Sequence, residues 1–195
     1  MRPSPEARPF PKARVDALTD GVFAFAMTLL VVDIRLPEGL EITSSAALWQ
    51  HLRALSPQAV AYVISFFVLA ALWRSTIAVR HDADDVAAST LKLWLWYLLF
   101  VTMVPFSSAL VGRYGQFPPA VWIYAGNMIA LGVLSLPLHR LEVPAAERPR
   151  MRRGEQHTIL FIASAAASVL VSLRAPDYAM YAYLLNALGR LPPFR

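Results

Sequence analysis

Three carboxylates and a mid-helix hydroxyl, Asp16, Asp20, Asp33 and Thr28, are set into a mostly apolar stretch, RVDALTDGVFAFAMTLLVVDIRLP, residues 14–37. Carboxylates and a hydroxyl in such a helix can attract cations, coordinate them, or hold the helix against a neighbour. Asp16 and Asp20 lie four residues apart and share a helical face, in the first turns, where the helix dipole favours negative charge. Asp20 lies deeper. A carboxylate at that depth costs about 2–3 kcal/mol unless it faces protein or water and finds a partner; Arg14, of the same chain or a neighbour, is the candidate. Beyond it, Gly21, Phe25, Thr28 and Val32 follow at spacings of four, three and four and fall on one stripe. Gly21, Ala24 and Thr28 are small enough for close helix approach. The plainer role of Thr28 is a hydrogen bond to the carbonyl one turn back. Asp33 and Arg35 mark the far mouth. A helix that only anchors a protein in lipid has no use for this stripe, which suits a helix facing its own copies around a water-filled cation path.

The elements that must position this helix follow from composition. Of 195 residues, 57% are hydrophobic and 16% charged, where soluble domains carry about a quarter charged. The apolar residues are grouped into blocks long enough to cross a bilayer, about 20 residues each. Six spans are expected: 14–36, 57–79, 89–111 with a kink at Pro105, 119–138, 157–173 and a short 177–191. The fold class is therefore an all-α integral membrane protein. The start, MRPSPEARPFPKARVDAL, reads as an arm over residues 1–13, extended or disordered, before a retained first span rather than a cleaved leader. One membrane domain is expected over 14–191, followed by a short tail, 192–195. Residues 40–55 have helical spacing but too many polar positions to cross, and predict an interfacial helix.

With the N terminus on one side, fourteen Lys and Arg residues fall on that side and four, Arg35, Arg53, Arg113 and Arg174, on the other. This bias puts both termini in the cytoplasm. It also accounts for the net charge of +5, so no nucleic-acid partner is expected. The basic loop 139–156, with its cluster RPRMRR, is expected to meet anionic lipid headgroups. Trp94, Trp96 and Tyr97 read as membrane-interface anchors, and Asn127 and Ser135 as interhelical hydrogen-bond residues. No disulfide or thiolate site is possible without cysteine. His51, His81, His139 and His157 lack metal-ligand spacing. Ser107 and Ser108 lack the His and Asp companions of a hydrolase, and HDADD reads as a solvated link. No enzyme activity, metal or cofactor is expected.

LTDGVFAFAMTLLVVDI resembles the first-helix signature of the transmembrane-protein-175 family, the endosomal and lysosomal potassium channels and their bacterial homologues. The family's mark is Phe-Ser-Asp, then Gly-Val-Phe-Ala and an aliphatic Thr-Leu-Leu run; here Leu18-Thr19-Asp20 stands for the triplet, with Arg14 six residues before the aspartate as in the family. Trp73 matches a family tryptophan in the second span, and VPFSSALVGRYG resembles the family's third-helix ending. The resemblance covers spans one to three; the later spans match by hydropathy alone.

It implies a homotetramer of six-span subunits whose first helices line a central pore for potassium or other monovalent cations. Phe25 then stands at the family's narrowest ring and Thr28 at the polar ring beside it, with Val32 continuing the lining. Leu18, Thr19 and Asp20, with Arg14 and Trp73, form a packing node near one mouth, and Asp33 stands at the other. There are departures. Phe25 replaces an isoleucine or leucine, Thr76 and Ile77 stand where the family has a histidine pair, and Trp94 falls near a family asparagine. Lys92 and Arg74 become further candidate charge partners of Asp20. The single repeat and the Arg/Ala/Leu-rich usage point to a bacterial inner membrane. Two rival readings remain: a secondary transporter, against which no inverted repeat is visible, and a non-conducting scaffold of the same fold.

Overall fold

The computed structural model describes residues 10–37, 39–78, 85–142 and 152–184. Seven α-helices follow one another there: α1 (Lys12–Leu29), α2 (Ser45–Ala54), α3 (Ser56–Ala78), α4 (Ala88–Thr102), α5 (Val104–Tyr114), α6 (Pro118–Glu142) and α7 (Arg152–Ser172). A 3₁₀ turn at Leu30–Asp33 continues α1, and a 3₁₀ segment covers Pro176–Leu184. Five helical stretches among the described residues are long and apolar enough to cross a membrane.

The first of them starts directly after Pro11, whose extended backbone sets the helix entry. It tightens into 3₁₀ geometry at the β-branched pair Val31-Val32. The third stretch, Ala88–Tyr114, is broken at Met103 between α4 and α5. Pro105, expected as the kink, lies in the first turn of α5; it has no N–H to give and its ring crowds the carbonyl four residues back. The short helix expected over 40–55 forms as α2, where the Ala47 N–H donates to Ser44 Oγ at 3.1 Å as an N-cap. Trp49 and Leu52 on α2 stay exposed.

Several expectations are corrected. Trp94 and Tyr97 do not stand at the surface as anchors: they are 4% and 1% exposed and join the core. Tyr97 meets Phe23 of α1 at 6.2 Å between ring centroids and meets Trp94 edge-on at 5.7 Å; only Trp96 points outward. Ser135 donates to Gly132 of its own helix rather than across helices. Phe10–Pro11 pairs antiparallel with Asp85–Val86, a two-residue strand pair (β1, β2) tying the start of α1 to the start of α4. The sixth expected span, 177–191, is 3₁₀ as far as Leu184, with Met180 and Tyr183 buried. Its remainder, most of the N-terminal arm, the link around HDADD, the centre of the basic loop and the tail lie outside the described residues.

A polar network joins three helices inside the subunit. Ser65 of α3 donates to Ser108 of α5 at 2.9 Å and lies 3.0 Å from the Tyr124 hydroxyl of α6. Asn127 of α6 donates to Ser107 of α5 at 3.2 Å, the interhelical role expected of it. Ser107 and Ser108 thus hold helices together. α3 and α5 approach closely at Gly112, where an added Cβ would lie 3.1 Å from the Cα of Gln58. That neighbour is backbone and cannot swing aside. Gly112→Ala is therefore expected to cost about 1–3 kcal/mol, read as a lower melting temperature in detergent. Gly126→Ala, which meets nothing within 4 Å, should leave it unchanged.

Candidate functional site

The two faces of α1 differ sharply. Val15, Thr19, Phe23, Ala26 and Leu30 are buried against the rest of the subunit, at the spacing of one helical face. Leu18, Gly21, Phe25, Thr28 and Val32 face outward. Phe25 is 67% and Val32 61% exposed, large values for apolar side chains. This outward stripe runs about 21 Å along the helix axis, most of the thickness of a bilayer's hydrocarbon core. Gly21 meets nothing within 4 Å of where a Cβ would stand. Ala24 is exposed as well, so among the described residues neither small residue marks a close helix approach.

The polar groups are held in different ways. Thr28 Oγ1 donates to the Phe25 carbonyl at 2.8 Å, three residues back rather than four, and the residue is exposed. Thr19 is 1% exposed and donates to the Val15 carbonyl at 2.8 Å, so its hydroxyl serves α1 itself. Asp20 is half-buried and accepts a 2.9 Å hydrogen bond from the indole Nε1 of Trp73 on α3. Of the expected node, the structure thus joins Asp20 to Trp73 directly. Thr19 stands beside them on the buried face, and Leu18 and Arg14 are exposed.

At the other end of α1, Asp33 lies 3.8 Å from Arg113 at the close of α5. The sequence reading set both residues at the same membrane face but did not pair them. The alternation of span directions was the available signal: spans one and three end on the same side. A second residue that was missed is Lys12, treated as part of a loose arm and in fact buried at the start of α1. Phe23 was also passed over; on the sequence it is one more apolar residue beside Phe25, and one helical step decides that one ring enters the core and the other leaves it. Among the described residues, no three His, Asp or Glu side chains come together as a metal site would require.

α1 thus has one face packed on the rest of the chain and the other carrying an aromatic, a hydroxyl and an aliphatic side chain outward. Comparison with known proteins identifies relatives of this chain. The family described as endosomal/lysosomal potassium channel TMEM175 matches residues 14–105. A potassium channel of Streptomyces collinus is 32% identical over 155 residues, covering 71% of this chain and 74% of the relative. One of Chamaesiphon minutus is 29% identical over 153 residues, covering 75% and 72%. Among solved structures, the crystal structure of a lysosomal potassium-selective channel TMEM175 homolog from Chamaesiphon minutus shares the fold, with a TM-score of 0.75 at 24% identity, over 90% of this chain and 94% of that one.

Proposed function

This chain belongs to the TMEM175 family, and from that premise we propose that it is a multi-pass membrane channel passing potassium, and other monovalent cations, passively down their gradient. Four subunits would assemble around their α1 helices, with the outward stripe turned to the axis. The observation that carries this reading is the exposure of Phe25, Thr28 and Val32 on one face of α1 while the opposite face is buried. The names of the relatives supply the ion.

In such an assembly, rings of Phe25 form the hydrophobic constriction. Apolar constrictions of this kind gate by dewetting. Thr28, one turn on, offers hydroxyl oxygens to an ion that has shed part of its water, and Val32 continues the wall. Asp20 and Trp73 fix α1 to α3 below the constriction, with Thr19, Leu18 and Arg14 around them. Asp33 at the far mouth raises local cation concentration, tempered by Arg113 beside it. The subunit is read as six spans over 14–191, with α2 in the membrane interface. Both termini are read as cytoplasmic in a bacterial inner membrane, with the basic loop 139–156 on anionic headgroups.

Reconstitution tests this. Liposomes holding the full chain should release potassium down its gradient at a rate that rises linearly with the gradient. Vesicles as tight as protein-free ones would contradict the reading, and a saturating, proton-dependent flux would replace it with a transporter.

A further inference from the structure

At the Asp33 end of the bundle, a cleft of about 370 Å³ opens between the segment after α1 and the pair α3–α5. Arg35, Leu36 and Pro37 form one wall; Leu55, Gln58 and Arg113 form the other. Two guanidiniums therefore stand over a floor that is otherwise apolar. Asp33 can offset only one of them, at 3.8 Å from Arg113. Each guanidinium carries five N–H donors in a fork that matches a phosphate, so most remain available. Gln58 adds a third feature: its side-chain oxygen Oε1 is buried and has no hydrogen-bond partner among the described residues. A buried acceptor left unmade costs about 1–3 kcal/mol. The residue cannot easily withdraw, because its backbone is set against Gly112.

The position selects the ligand. The cleft lies where α1 and α5 end and α3 begins, so it stands at headgroup depth if these helices cross a bilayer. Leu36, Pro37 and Leu55 offer nothing to a free phosphate but suit the upper methylenes of an acyl chain. We propose that this cleft binds an anionic phospholipid. Its phosphodiester lies between Arg35 and Arg113, and the Gln58 side chain turns into the cleft so that Oε1, otherwise closed off, accepts from a headgroup hydroxyl. Phosphatidylglycerol has this chemistry; phosphatidylcholine has neither the net charge nor the donor. The inference does not depend on conduction, since it concerns lipid binding to the subunit.

The test uses the purified, delipidated full chain in detergent. Phosphatidylglycerol should raise the melting temperature and remain bound in native mass spectra, and phosphatidylcholine should do neither. Arg35→Gln should weaken phosphatidylglycerol binding about tenfold, the loss expected for one charge-assisted contact, with Arg35→Lys intermediate. Arg113→Gln should weaken it similarly, and if that variant fails to fold, the Arg35 pair decides. Arg53→Gln, on α2, should bind as the parent does. The inference is overturned if the two lipids bind alike, if Arg35→Gln binds as tightly as the parent, or if Arg53→Gln loses as much. Glycerol phosphate or inorganic phosphate giving the full thermal shift would also overturn it, making the ligand a free anion.

Discussion

Phe25→Ala is expected to raise the potassium flux of reconstituted protein by about tenfold or more. In the proposed assembly, removing a phenyl ring from each subunit would widen the apolar constriction and lower the cost of keeping water and an ion in it. A barrier lower by about 1.4 kcal/mol already gives the tenfold. The fold of the single subunit should not suffer, because Phe25 is 67% exposed and lies on the face of α1 opposite the buried Phe23; substitutions at such positions usually stay within about 0.5 kcal/mol. Flux with unchanged thermal stability is therefore the expected pair of results. Equal flux in both forms would move the constriction to another ring. No flux in either form would favour a scaffold built on the same fold.

Trp73→Phe is expected to be the most damaging of the conservative changes near the pore. It keeps the ring and removes the Nε1–H that Asp20 accepts at 2.9 Å. The carboxylate is half-buried, and losing a hydrogen bond to a charged group costs about 1.5–3 kcal/mol. For a chain of this size that lowers the melting temperature by about 4–8 °C. The partner change Asp20→Asn should cost less on top of Trp73→Phe than it does alone, since the two share one interaction. Additive losses in the double variant would show that the bond does not hold α1 on α3.

The stretches that cross were legible because length and apolarity alone identify them, and the break near Pro105 because a proline's missing donor has a fixed consequence. The outward stripe of α1 was legible in part, since Gly21 and Thr28 share a phase with Phe25 and Val32, while Asp20 and Asp33 turn to α3 and α5 instead. α4 has no such phase. Between Lys92 and Thr102 it is an unbroken run of apolar and aromatic residues, and such a run carries little sign of which face is buried; the place of Trp94 and Tyr97 near the end of the span suggests surface anchors, whereas packing against α1 takes them into the core. The strand pair at Phe10–Pro11 was invisible because two residues show no alternation. The Asp33–Arg113 contact joins residues 80 positions apart, and only the packing of α1 on α5 brings them together.

The central claim is that the Phe25 face of α1 meets the same face of another subunit. The chain has no cysteine, so a single introduced one has no partner within the chain, and a covalent species of twice the subunit mass joins two copies. In membranes treated with a mild oxidant, Phe25→Cys and Val32→Cys should run as covalent dimers, while Leu170→Cys, equally exposed but on α7, should stay monomeric. Monomeric Phe25→Cys beside dimeric Leu170→Cys would place the subunit contacts elsewhere, leaving α1 facing lipid.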